Sequence, residues 1–325
     1  MRLAVAVERW PIAGAFRISR GAKTEAQVVV ASVTADGFTG RGECVPYKRY
    51  GETVDGVVAA IERLGPPLEW GLSRLELQAA LPPGAARNAV DCALWDLEAK
   101  RAGTTVAELA GLPAPRAVTT AYTLSLDAPD LMGSAAAKAG KPLLKLKLGG
   151  DGADLERVAA VHAAAPDARL IVDANEAWAP GDVVRLAGEM ARHGVTLIEQ
   201  PVPADLDVGL EGLQSPVALC ADESFHVAAD LERLARRYSH VNVKLDKTGG
   251  LTEAIAVVTR ARELGLGLMI GCMVGTSLSM APAALLAGGA DYVDLDGPLL
   301  LARDRTPGLR YEGAVMYPPT PALWG

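Results

Sequence analysis

The sequence predicts an α/β fold: a (β/α)8-type TIM barrel preceded by a smaller α+β domain. Between residues 116 and 310, eight apolar strand-like runs alternate with alanine-rich helical stretches, a spacing that favours a closed barrel over an open doubly wound sheet. Several of those runs end in an ionisable residue, where barrel strands carry their chemistry. No G-x-G-x-x-G or P-loop follows any strand, so nucleotide binding has no support.

In chain order, Arg2 to Trp10, Ala26 to Thr34 and Thr39 to Glu43 read as strands of an antiparallel meander, with a turn at Ala35-Asp36-Gly37. The stretch from Pro11 to Glu25 reads as a loop whose Arg17, Arg20 and Lys23 could close over an anionic ligand. Helical periodicity takes over at Thr53. Its clearest case is Ala85 to Ala102, where Ala89, Val90, Ala93, Leu94 and Leu97 recur at helical spacing. A short helix from Val106 to Ala110 is ended by Gly111 and Pro113, and Leu112-Pro113-Ala114-Pro115 closes a first domain of residues 1–115. In the barrel domain, 116–310, strands fall near 119–125, 143–148, 169–175, 196–201, 218–224, 240–246, 267–273 and 292–298. The proline-containing segment 311–325 is expected to run back over the first domain.

Half of the 325 residues are hydrophobic, so disorder is excluded as a general description. A net charge of −7 argues against nucleic acid or an anionic membrane surface as partner, since both reward a basic face. No apolar run reaches the ~18 residues of a membrane span, and the start lacks a signal-peptide pattern, so a cytoplasmic protein is expected. Cys44, Cys92, Cys220 and Cys272 are widely spaced and read as free thiols. The expected partner is a small molecule. The sequence leaves the oligomeric state open, and a homo-oligomer is compatible with it.

The run Leu143-Leu144-Lys145-Leu146-Lys147-Leu148-Gly149 alternates with period two, which puts both lysines on one face of a strand. Later runs end in Asp173, Glu199, Asp222 and Lys244. Any one of these alone would read as a cap or a surface ion pair. Three carboxylates converging at a barrel mouth imply a hard divalent cation, and an all-oxygen set suits Mg2+ better than Zn2+.

Lys145-Leu-Lys147, Asp173-Ala-Asn175, Glu199-Gln-Pro201, Ala221-Asp222-Glu223-Ser224 and Lys244-Leu-Asp-Lys-Thr-Gly-Gly250 together resemble the enolase superfamily, in its muconate-cycloisomerase-like branch, over essentially the whole chain. The resemblance implies an enolase-like modified barrel under a capping domain. It also implies one Mg2+ per site, with Mn2+ as a substitute, and a lysine base that forms an ene-diolate from a carbon acid. Asp173, Glu199 and Asp222 are then the metal ligands and Lys147 is one base, its pKa lowered by Lys145 and the metal. Lys145 supports it by binding the substrate carboxylate or a metal ligand. Lys244 is the second base, preferred to Lys247 because it shares a face with Asn242 and precedes the Gly-Gly pair at the family's spacing. Bases on both faces of a carbanion suit a 1,1-proton transfer, although dehydration could use the same pair.

In Tyr292-Val293-Asp294-Leu295-Asp296, two carboxylates share a face away from the metal ligands, which suits an ammonium group. A lone D-x-D would more often be a turn or cap. Here it is similar to the feature of dipeptide epimerases of the L-Ala-D/L-Glu type, which recycle peptidoglycan peptides. That similarity extends to Gly42 through Tyr47 and Gly84 through Ala89, and implies a dipeptide inverted at the Cα of its C-terminal residue. Arg20, with Arg17 and Lys23 behind it, is the candidate for a glutamate side chain. Thr123 and Ser277 are candidates to hydrogen-bond the peptide, and Cys272 and Met273 to line the pocket. The competing readings are three. One is a lyase, such as an o-succinylbenzoate synthase or a sugar-acid dehydratase; a dehydratase would want a histidine near the seventh barrel strand, where none of His162, His193, His226 and His240 stands. The others are an N-acylamino acid racemase and a peptide receptor without turnover.

Overall fold

Strands β1 (Arg2–Ile18), β2 (Gly21–Ala35) and β3 (Phe38–Cys44) form an antiparallel meander in the computed structural model, which describes all 325 residues. Val29, Ala31 and Val33 alternate onto one face and are buried with Ala89, Val90, Ala93, Leu94 and Leu97 of the helix Ala85–Ala102. Val28 and Val30 point the other way into the main core, so β2 is covered on both sides. Gly40 and Gly42 allow the helix to lie directly on β3, because a Cβ at either would come 2.1 Å from the carbonyl oxygen of Ala93 or Ala89.

The segment 11–25 is not a loop. After an irregularity between Pro11 and Phe16 the ladder resumes, with Phe16, Arg17 and Ile18 opposite Lys23, Ala22 and Gly21, so the hairpin turns at Ser19-Arg20. Small and basic residues hid this strand, but its backbone groups find partners on the barrel: Arg17 O accepts from Leu126 N at 3.0 Å, and Ile12 bridges Leu301. A segment crossing the protein must pair its backbone somewhere, and here the hairpin pairs with itself on one edge and with the barrel on the other, which composition did not advertise.

After β4 (Val118–Thr119) come eight parallel strands in sequential order: β5 (Tyr122–Leu124), β6 (Leu143–Lys147), β7 (Arg169–Asp173), β8 (Val195–Glu199), β9 (Ala218–Ala221), β10 (His240–Val243), β11 (Gly267–Gly271) and β12 (Tyr292–Asp294). The first and last are joined without a regular ladder. Ala121 N donates to Val293 O at 2.8 Å, Leu295 N to Thr120 Oγ1 at 2.9 Å and Thr123 N to Asp296 Oδ2 at 2.6 Å, which closes the barrel. β13 (Tyr311–Glu312) and β14 (Val315–Met316) form a small sheet with β4. Beyond it Trp324 and Gly325 reach the first domain, bonding Cys92 O at 3.1 Å and Asp96 Oδ1 at 2.9 Å. No helix is long and apolar enough to cross a membrane.

Strand parity divides the barrel interior into layers. Leu143, Ile171, Leu197, Cys220, Met269 and Tyr292 pack with Ala121 as an apolar plug. Two residues further along their strands stand Lys145, Asp173, Glu199, Asp222 and Asp294, while the alternate residues Leu144, Leu146, Val172 and Ile198 pack outward in the main core. The charged face of the Leu143–Lys147 strand is therefore the inner one.

The two domains meet through buried polar bonds. Arg87 Nη2 donates to Thr248 O at 2.6 Å, and Asp246 Oδ1 accepts from Asn88 Nδ2 at 2.8 Å and Val45 N at 3.0 Å. Burial pushes the Asp246 carboxyl up from 3.8 to about 7 in spite of those two bonds. The native state therefore holds this proton across a range in which the unfolded chain has lost it, so the contribution to stability is full below about pH 4 and falls as pH rises to about 7. Asp246→Asn keeps an acceptor for both donors and removes the titration. Its stability advantage over the parent, from urea unfolding at stepped pH, is expected to grow by on the order of 4 kcal/mol between pH 4 and 7, taking 1.36 kcal/mol per pKa unit. A pH-independent difference would contradict the assignment.

Candidate active site

The strand ends bring the predicted residues into one buried cluster. Lys145 Nζ lies 2.7 Å from Asp294 Oδ2, 2.5 Å from Glu199 Oε2 and 3.6 Å from Asp173 Oδ2. Lys147 Nζ lies 2.5 Å from Asp173 Oδ2 and 5.8 Å from the centre of the Phe16 ring, which the hairpin brings over it. Across the mouth, Lys244 Nζ is 2.6 Å from Asp222 Oδ2 and 3.6 Å from Glu199 Oε1. β6 and β10 are four strands apart in an eight-stranded barrel, so Lys147 and Lys244 approach the mouth from opposite walls.

The electrostatics follow from burial set against pairing. Burial opposes the charge on Lys145, yet Asp294, Glu199 and Asp173 hold it well above the usual lysine range; Asp222 and Glu199 do the same for Lys244. Lys247 differs. It is fully buried behind Asp222, donating to that residue's carbonyl and carboxylate at 2.6 Å each, and burial brings it below the usual range. Asp222 is thus gripped by Lys244 at one oxygen and Lys247 at the other, and despite burial it stays well below the ordinary carboxylate range. Glu199 is pushed up by burial and by Asp173 beside it.

The donor set for a cation is three carboxylates on consecutive strands, β7 to β9, with only oxygen to offer. Glu199 Oε2 is buried with the Lys145 ammonium 2.5 Å away as its counter-charge. No three acidic side chains are drawn in tightly enough to enclose an ion as they stand, because lysine ammonium groups lie between them. By donor chemistry, three buried carboxylates whose counter-charges here are lysine ammonium groups, the residues fit a hard divalent ion.

Asp294 and Asp296 flank the closure of the barrel. Asp296 precedes the short helix Gly297–Leu300 but does not cap it; its carboxylate accepts from Thr123 N instead. Burial and the neighbouring Asp294 push Asp296 up to about 7, and Asp294 Oδ1 is buried without a partner. Two buried acids share only Lys145 and one backbone N–H.

Thr123 is buried in β5 and engaged through its N–H, while Cys272 and Met273 are half-buried just beyond β11. The Ser277 hydroxyl is already committed within the chain. It donates to Asp304 and accepts from Leu309 N at 2.8 Å, which pins the segment after the barrel. Arg17 pairs with Asp127 at 3.0 Å away from the acids, and Lys23 lies over the Tyr47 ring at 5.6 Å. Arg20 alone of the three bonds the residues just beyond β7 and β9, beside the acids. It bonds Glu223 Oε1 at 2.7 Å, Tyr47 OH at 3.0 Å, Asn175 O at 3.1 Å and Glu176 Oε2 at 3.3 Å.

Sequence reasoning passed over Glu223, Asn242 and Tyr50. Asn242 Nδ2 holds Glu199 Oε1 at 2.7 Å, and its inward parity was the available signal. Tyr50 comes from the first domain, its hydroxyl buried without a partner and its acidity suppressed by burial and then by Asp222. No strand pattern could have announced it.

Residues 1–111 match the model of the mandelate racemase/muconate lactonizing enzyme N-terminal domain, and residues 129–320 that of the enolase C-terminal domain-like family. The chain is 47% identical over 307 residues to an L-Ala-D/L-Glu epimerase of Escherichia coli, covering 94% of this chain and 95% of that one. It is 44% identical over 302 residues to an N-acetyl-D-glutamate racemase of a Pseudoalteromonas species, covering 92% and 95%. A solved enolase family member from Agrobacterium tumefaciens with homology to dipeptide epimerases, bound to sodium and L-Ala-L-Glu, superposes with a TM-score of 0.97 at 52% identity, covering 99% of each chain. A dipeptide epimerase from Enterococcus faecalis, complexed with Mg and L-Leu-L-Tyr, gives 0.91 at 29% identity, covering 98% of this chain and 96% of that one.

Proposed function

The chain belongs to the mandelate racemase/muconate lactonizing enzyme family of the enolase superfamily, and on that premise we propose that it is a dipeptide epimerase of the L-Ala-D/L-Glu type, acting in the recycling of peptidoglycan peptides. The observation that carries the reading is the pair of amines entering from opposite walls, Lys147 and Lys244, beside a buried carboxylate pair, Asp294 and Asp296, that has no cation of its own except Lys145.

Asp173, Glu199 and Asp222 would hold one Mg2+, with Mn2+ as a substitute, and the bound ion would neutralise charge growing on the substrate carboxylate as the α-proton leaves. The chain's own residues do the rest. Lys147 parts from Asp173 to take or return the α-proton on one face, and Lys244 parts from Asp222 to do so on the other. Lys145 stays charged beside Glu199 and Asp173 and offers a fixed positive charge to the developing ene-diolate. Asp294 and Asp296 receive the substrate ammonium, whose positive charge relieves their mutual repulsion. Arg20 meets an acidic side chain; Thr123, Cys272 and Met273 line the remainder.

The Pseudoalteromonas relative supports a second reading, racemisation of an N-acylated amino acid, which has no ammonium for the two aspartates. Deuterium incorporation at Cα from D2O separates the readings: L-Ala-L-Glu is expected to exchange much faster than N-acetyl-L-glutamate. Asp296→Asn is expected to raise KM for L-Ala-L-Glu by about tenfold, the share of one charge-assisted bond, while exchange of any N-acylated substrate is indifferent. Equal impairment of both substrate types would refute the ammonium role.

A further inference from the structure

We propose that Glu223 is an internal substitute for the side-chain carboxylate of an acidic substrate: it holds Arg20 across the mouth until such a side chain displaces it, and so limits the preference for acidic C-terminal residues that Arg20 confers. The inference rests on the dipeptide epimerase reading and names a residue that determines specificity within it. Arg20 sits in the hairpin turn between β1 and β2, and its two terminal nitrogens divide between the first domain and two barrel strand ends. Its shortest bond, 2.7 Å, is to Glu223 Oε1. The Glu223 side chain is 1% exposed and that of Arg20 29%, so the acid is fixed in the wall while the cation lies on the rim.

Glu223 makes no other ion pair, and its Oε2 is buried without a hydrogen-bond partner. It therefore uses half of its carboxylate on Arg20. A glutamyl side chain entering the mouth brings two oxygens to a guanidinium built to bind both. Exchange of one acid for the other leaves Arg20 paired throughout, and its cost falls on Glu223, which is left buried without a cation. A neutral side chain offers no such exchange and leaves Arg20 on Glu223.

The test measures KM and kcat by deuterium exchange for L-Ala-L-Glu and L-Ala-L-Leu. Glu223→Gln is expected to lower KM for L-Ala-L-Glu by about fivefold, the worth of a partly exposed ion pair, without lowering KM for L-Ala-L-Leu. In an Arg20→Gln background the same change should leave both KM values where they are, because the competition has lost its object. Glu223→Asp, one methylene shorter, carries the test with the same sign should the amide variant fail to fold. A parallel shift for both dipeptides, or a selective gain that persists without Arg20, overturns the proposal. Absence of exchange from every dipeptide in the parent enzyme would overturn the epimerase reading itself, and with it the acid that Glu223 is said to replace.

Discussion

Lys147→Ala is expected to abolish α-proton exchange from one stereoisomer of the dipeptide, and Lys244→Ala from the other. The two amines stand on β6 and just beyond β10, on opposite walls of the barrel, so a substrate stereocentre between them shows one face to each. Loss of a positioned base costs about 10²–10⁴ in rate. Epimerisation should vanish in both variants, since inversion needs both faces, whereas exchange without inversion should survive at the face whose lysine remains. The fold should tolerate either change. Asp173 keeps Lys145 3.6 Å away when Lys147 is removed, and Asp222 keeps both bonds from Lys247 when Lys244 is removed. Lys247→Ala is the control: it strips the rear support of Asp222 and should depress exchange from both isomers alike. Equal residual exchange from both isomers in either single variant would refute the pairing of lysine with face.

Chelation of divalent ions is expected to stop exchange from both isomers, and Mg2+ or Mn2+ to restore it. The carboxylates of Asp173, Glu199 and Asp222 stand at the ends of neighbouring strands with burial opposing their charges; the lysines outweigh that cost at Asp173 and Asp222 but not at Glu199, where a bound cation would remove what is left. Binding to the native state alone should also raise the melting temperature, by an amount equivalent to about 2.7 kcal/mol at a hundredfold excess over Kd. Glu199→Gln keeps the side chain's size and removes one charge, and should lose both the thermal shift and the exchange. A variant that still shifts with Mg2+ as the parent does would remove Glu199 from the ligand set.

The reach of the sequence can be judged residue by residue. Alternation in Leu143–Leu148 placed both lysines on one face, and the structure turns that face inward because the leucines of the other face have helices to pack against. The positions outside the proposed chemistry, Arg87-Asn88 on one side and Asp246 and Thr248 on the other, owe their pattern to each other: they carry the buried bonds by which the first domain grips the barrel. The hairpin at 11–25 was illegible because Gly14, Arg17, Arg20 and Lys23 are poor advertisements for a strand, although their ladder partners lie within the same hairpin and the barrel contacts that hold its outer edge lie more than 100 residues away. The partners of Ser277 were hidden for a related reason. A hydroxyl near a strand end has no direction until the segment around Asp304 is folded onto it.

What the sequence determined by itself is the list of chemical groups and the wall each one stands on, since a period of two along a strand fixes a side chain's face whatever lies opposite. The pairing of those groups was decided only by the closed barrel. Lys145 meets Asp294 across 149 positions, and Arg20 meets Glu223 across 203. Electrostatic energy depends on separation in space, and no local pattern encodes the distance between residues that the chain brings together only on closing.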